Sequence, residues 1–153
     1  MNVAPAPILT LDEAAELAAA QRAAGRVVVM TNGVFDLMHP GHIRHLEAAR
    51  AEGDLLIVAV NSDRTVRENK GPARPILPEA ERAELLAALA CVDAVFISDD
   101  PIHAVIQRIQ PDVIVKGGDG GSEGDSGGGR VVRVTAVPGY STSALIDKVN
   151  ASQ

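Results

Sequence analysis

Short aliphatic runs alternate with longer segments of helical spacing along most of this chain. The runs are "RVVVMT" (26–31), "DLLIVAV" (54–60), "AVFI" (94–97), "DVIV" (112–115) and "RVVRVT" (130–135). Runs of this length, rich in Val and Ile and bounded by polar residues, read as buried strands. Between them, Thr10-Leu11-Asp12-Glu13 reads as a capping box, with hydroxyl and carboxylate satisfying free amides. The Ala-rich segment behind it is expected to be helical up to Gly25, a favourable stop. Residues 41–52 place Ile43, Leu46 and Ala49 on one helical face. Residues 79–90 and 142–150 also read as helices. Asp100-Pro101 reads as the cap and first position of another. Residues 1–9 read as a loose lead-in, and the polar stretch before Pro78, with Gly71, Pro72 and Pro75, as a loop.

Strands that alternate with helices predict an α/β fold. The expectation is one domain over residues 1–153, Rossmann-like, with an open five-stranded parallel sheet and helices on both faces. Composition narrows the picture. Of 153 residues, 46% are hydrophobic but only 2% aromatic, so the core must be aliphatic. The net charge of −6 argues against a general nucleic-acid partner. Cys91 is the single cysteine, which excludes an internal disulfide and reads as a small core residue. No basic-then-apolar leader and no run of membrane-spanning length occur, so a cytoplasmic protein without a membrane partner is expected. From Gly117 to Gly129, eight of thirteen residues are glycine by direct count. That stretch suits a surface loop and a mobile lid equally.

In open α/β sheets ligands bind beyond the carboxyl ends of the strands. Polar residues and glycines collect after the strands here: Thr31, Asn32, Gly33, Phe35 and Asp36, then Asn61 and Asp63, then Lys116, Gly118 and Asp119, then Ser141 and Thr142. His39-Pro40-Gly41-His42 falls at the start of a predicted helix. Free amides and the helix dipole favour an anion there, two imidazoles can donate to phosphate oxygens, and Gly41 permits close approach. Two other readings stay open: structural histidines, and a metal site that recruits His45. Lys70, Arg74 and Arg82 supply positive charge. For Lys70 and Arg74 the simpler reading is solvated loop charge. Arg82 at a helix start opposes the dipole, which an anionic ligand or an ion pair with Glu79 or Glu81 would relieve. Ser141 and Thr142 most simply cap the last helix. No GxGxxG or GxxxxGK[ST] pattern is present, which argues against a dinucleotide fingerprint and a P-loop.

"NGVFDLMHPGH" resembles the G-x-F-D-x-x-H-x-G-H signature of a nucleotidyltransferase superfamily, and "STS" at 141–143 resembles its late serine-threonine motif. "VAVNSD", "KGPARP", "ALACVDAV" and "PDVIVKGGD" make the chain similar to the heptose-1-phosphate adenylyltransferase branch. The similarity runs over about 26–119 and 130–150. It departs from the branch at Gly120, where a tyrosine is usual. The resemblance implies transfer of AMP from ATP to a sugar 1-phosphate, D-glycero-D-manno-heptose 1-phosphate, giving ADP-heptose for lipopolysaccharide core and pyrophosphate. It implies His39, His42 and Lys70 as catalytic residues. Thr31, Asn32, Gly33, Phe35, Gly41, Arg82, Lys116, Gly118, Asp119, Ser141 and Thr142 would bind nucleotide. Asp36, Asn61, Asp63, Lys70 and Arg74 would bind the acceptor. Mg²⁺ would be held mainly through the nucleotide phosphates, with no protein metal site. A separate sugar kinase would supply the acceptor, and a homodimer or higher symmetric assembly is implied. Two alternatives remain: a cytidylyltransferase for glycerol 3-phosphate or another small phosphate, and a nucleotide-binding module without turnover.

Overall fold

A computed structural model describes residues 4–118 and 127–153. Its strands are β1 (Ile8–Leu9), β2 (Val28–Gly33), β3 (Leu55–Asn61), β4 (Ala94–Ser98), β5 (Val113–Gly117) and β6 (Arg130–Val134). Its helices are α1 (Leu11–Ala23), α2 (Pro40–Arg50), α3 (Asp63–Lys70), α4 (Glu79–Ala87), α5 (Ile102–Ile109) and α6 (Thr142–Ala151). The strands form one parallel sheet in the order β1-β4-β3-β2-β5-β6.

Residue alternation along the strands divides the core between the two faces of the sheet. Val29, Val58, Val60, Val95, Val113 and Val115 pack with Leu46 and Ala49 of α2 and with Ala83 and Leu86 of α4. Val28, Met30, Ile57, Phe96 and Ile114 pack with Ala14 and Ala18 of α1 and with Val105, Ile106 and Ile109 of α5. Cys91 lies partly buried against the first cluster.

Three expectations need correction. The sheet has six strands, because Ile8–Leu9 pairs with Val95–Phe96. A two-residue edge strand carries no periodicity to read. The stretch before Gly71 holds a helix, α3, whose only buried residue is Val66. Ser62 caps it, Asp63 lies in its first turn, Arg67 and Lys70 lie in its last, and Gly71 ends it at φ 95°. End signals rather than an apolar face define that helix. Finally, α5 starts at Ile102 with Pro101 as its cap, one position later than expected. The Thr10/Glu13 capping box is present in full.

The two edges of the sheet differ in chemistry. At the amino-terminal edge, Asp54, Asp93 and Asp112 accept from the backbone N–H groups of Val27, Leu56 and Val28, each at 2.8 Å. These carboxylates are bonded to the sheet itself. The carboxyl-terminal edge is where strand order reverses, between β2 and β5, and there the loops open into cavities.

Candidate active site

The α2 N-terminus is built from His39, Pro40, Gly41 and His42. His39 is its N-cap in extended conformation, and Pro40 occupies the first turn, where a missing N–H costs nothing. A Cβ on Gly41 would lie 2.9 Å from the His39 ring and 3.0 Å from Cβ of Tyr140, so glycine is required for the rings to close over it. His39 and His42 stack with centroids 3.8 Å apart. The His39 N–H donates to Nδ1 of His42 at 3.3 Å. Neutral His42 therefore carries its proton on Nε2, and remains a donor while uncharged. Burial, with help from His39 and His45, lowers the His42 pKa to about 4, against an opposing pull from Asp36. Burial also lowers His39 and His45. Nδ1 of His39 is buried without a partner among the described residues.

Two cavities meet at this pair. The first, about 330 Å³, lies between the loops after β2, β5 and β6. Asn32, Gly33, Gly117, Gly118 and Val134–Val137 line it. The second, about 320 Å³, is bordered by Lys70, Arg74, Ser141 and Thr142. Val34, Phe35, His39, His42 and Tyr140 line both. Lys70, the last residue of α3, thus faces the histidines across the second cavity. Ser141 caps α6 by accepting from the Ala144 N–H at 3.0 Å, and Thr142 donates to the Asp36 carbonyl at 2.6 Å.

Several of the expected ligand residues are bonded within the protein. Asp36 is buried. Its Oδ2 accepts from Ile76 N–H and Arg74 Nε, and its Oδ1 from Leu77 N–H. On either side of it, Phe35 and Leu37 hold left-handed conformations, φ 52° and 41°. Such conformations cost about 1–3 kcal/mol each and persist only where surroundings enforce them. The Asp36 clamp supplies that enforcement. Arg82 does not reach either cavity. It is fully buried and donates to the carbonyls of Leu77, Val34 and Asn61 and to Asp63 Oδ1, at 2.6–3.0 Å. Its ion pair is with Asp63 rather than Glu79 or Glu81; Glu79 accepts from the Asp63 N–H instead. Asp63 is thereby bonded within the protein too, and Asn61 lines a further cavity with Asn32 and Arg64. Thr31 is buried, its hydroxyl bonded to Val115 O and His45 Nε2. Lys116 lines neither cavity, and β5 alternation puts it on the Ile114 side. Asp119 lies outside the described residues.

Arg44, His45 and Tyr140 line the first cavity, with the Arg44 guanidinium 5.6 Å from the Tyr140 ring centroid. Arg44 and Tyr140 were not among the expected site residues, and His45 entered only in the metal reading. The available signal was helical spacing, which puts Arg44 and His45 one turn beyond the helix start. No group of three His, Cys, Asp or Glu side chains among the described residues is arranged to hold a metal ion, so His39, His42 and His45 form no such cluster. Among them, too, no helix is long and apolar enough to cross a membrane.

A family profile described as cytidylyltransferase-like matches residues 30–123. The chain belongs to this nucleotidyltransferase family. It is 51% identical over 155 residues to the bifunctional protein HldE of Koribacter versatilis, covering 95% of this chain and 32% of that protein. It is 46% identical to the HldE of Geobacter metallireducens, covering 94% of this chain and 31% of that one. The chain thus spans about a third of the length of these relatives. Among solved structures, it resembles a lipopolysaccharide core biosynthesis protein of Thermoplasma volcanium, with TM-score 0.63 and 32% identity. That match covers 74% of this chain and 99% of the other.

Proposed function

We propose that this chain transfers AMP from ATP to D-glycero-D-manno-heptose 1-phosphate, giving ADP-heptose and pyrophosphate. The observation that carries the reading is the pair of cavities joined across His39 and His42, one glycine-walled and one bordered by Lys70 and Arg74. In this reading the first holds the nucleotide and the second the sugar phosphate. Kinship with HldE proteins and a lipopolysaccharide core protein supports the sugar acceptor.

An oxygen of the acceptor phosphate attacks the α-phosphorus in line. A new P–O bond forms, the bond to the β-phosphate bridge breaks, and pyrophosphate leaves with the electron pair. The attacking oxygen is already anionic, so no protein base is required. Catalysis reduces to positioning and charge stabilisation. The first amide of α2, from Gly41, and Nε2–H of His42 meet the phosphates, and Lys70 bridges donor and acceptor. Magnesium enters with the nucleotide. Among the described residues, Asp36 is the one acidic residue lining either cavity, and it is already bonded on both oxygens. These residues do not build a protein-held magnesium site, and phosphates and water are the natural ligands. The acceptor comes from a sugar kinase reaction, and a symmetric homo-oligomer is part of the same proposal.

The family description keeps a second reading in view, a cytidylyltransferase for glycerol 3-phosphate or a similar small phosphate. Pyrophosphate release decides between them. ATP and CTP are each tested against both anomers of heptose 1-phosphate and against glycerol 3-phosphate. Release that requires ATP and one heptose anomer supports the proposal. Release with CTP and glycerol 3-phosphate overturns it. Nucleotide binding without release from any pair points to a binding module.

A further inference from the structure

His45 stands one helical turn beyond His42, in the wall of the first cavity. Its ring is fixed by a short relay. The Thr31 hydroxyl lies 2.8 Å from Val115 O and 2.9 Å from His45 Nε2. A hydroxyl has one proton, and a carbonyl can only accept, so that proton goes to Val115. Oγ1 of Thr31 must then accept from His45, which puts the imidazole proton on Nε2 and leaves Nδ1 as a bare lone pair. Burial disfavours a second proton on this ring. Nδ1 has no protein partner among the described residues. It lies on the ring edge beside Gly117, where a Cβ would sit 3.5 Å from both Nδ1 and Cε1. Glycine at 117 keeps that edge uncovered.

An acceptor is out of place in a pure phosphate cradle. Three strong groups around this cavity donate: Nε2–H of His42, the Gly41 amide at the start of α2, and the Arg44 guanidinium. A lone pair would repel phosphate oxygens. One turn of helix separates it from the histidine pair, which is where a nucleoside would extend from phosphates held at the helix tip. We propose that His45 is a specificity-determining residue whose Nδ1 accepts a hydrogen bond from a donor on the nucleoside, a ribose hydroxyl or the exocyclic amine of the base. The inference rests on the first cavity being the nucleotide site. Thr31 is a positioning residue within it, acting on the ligand only by fixing the tautomer of His45.

The test reads nucleotide affinity by calorimetry, so that it does not depend on the acceptor. The ligands are ATP, 2′-deoxy-ATP, 3′-deoxy-ATP and inosine triphosphate, each with magnesium. In the unaltered chain, the analogue that lacks the partnering donor should bind roughly tenfold more weakly than ATP. In His45→Phe, that analogue and ATP should bind alike, both at the weaker level. Thr31→Val should also erase the discrimination while His45 is still present, and Thr31→Ser should restore it. A merely structural role for Thr31 would lower all affinities together. Thr31→Val gives the same readout should His45→Phe fail to fold. Discrimination that persists in both variants overturns the inference, as does equal binding of all four nucleotides to the unaltered chain. Failure of the unaltered chain to bind ATP at all would instead sink the nucleotide-site reading, and the inference with it.

Discussion

Two sets of polar side chains share the carboxyl-terminal edge of the sheet, and they are bonded in opposite ways. Around Asp36 and Arg82, the strong groups are matched within the protein. Arg82 reaches four oxygens, Asp36 accepts from two amides and Arg74, and Thr142 donates to the Asp36 carbonyl. Around the α2 N-terminus, the strong groups are left open. His39 Nδ1 is buried without a partner, Nε2 of His42 has none, and the Lys70 ammonium pairs with nothing among the described residues. Both sets contain charge, and both would look alike in a list of polar residues. The difference is saturation. Groups that satisfy one another hold loops in place, whereas groups held rigid and left unmatched await a ligand.

The sharpest way to break this division is to exchange the phenotypes. Arg82→Ala should cost folding rather than chemistry. It strips three carbonyls and Asp63 of their donor beneath the loops, and removal of one partner from a buried ion pair typically costs about 3–5 kcal/mol. Urea denaturation measures it. A loss below about 1 kcal/mol, the value of an exposed pair, would place Arg82 outside the scaffold. His42→Ala should do the reverse. Loss of one preorganised donor lowers kcat by ~10²–10³, while the melting temperature stays close to that of the unaltered chain. Near-normal turnover in a folded His42→Ala protein would remove it from the chemistry.

This division explains what sequence could and could not reveal. Strand–helix alternation exposed the sheet, because buried parallel strands are written as runs such as "DLLIVAV". The anion cradle was legible because His39-Pro40-Gly41-His42 couples a helix start to two imidazoles. Thr31, Asp36, Asp63 and Arg82 were not separable from ligand contacts. Their partners lie far off in the chain: Val115 for Thr31, Leu77 for Asp36, Val34 for Arg82. Local spacing carries no trace of such pairings. α3 escaped for a different reason, since Val66 alone gives it no apolar face.

A smaller perturbation acts on the unmatched groups around α2. Gly41→Ala adds one methyl where the His39 ring and Tyr140 leave no room. The ring must move by a fraction of an ångström to an ångström, and misplacement on that scale costs up to ~10²-fold in rate. Steady-state kinetics should show kcat reduced with stability little changed. Unimpaired turnover would mean that the His39 ring position is not part of the cradle.

The mildest effect is confined to acid. His42 titrates near 4 in the folded chain and near the ordinary 6.5 once unfolded. Between those values the unfolded chain holds the extra proton, so stability is complete above about pH 6.5 and falls as pH drops toward 4. His39 and His45, also lowered by burial, add to the same slope. A bound triphosphate opposes it, because phosphate oxygens favour the protonated rings. Nucleotide binding near pH 6 should therefore take up protons, which calorimetry in buffers of different ionisation enthalpy detects. Urea midpoints of the unaltered chain should decline more steeply from pH 7 to 4.5 than those of His42→Gln. Parallel declines would show that His42 is not held neutral by its surroundings.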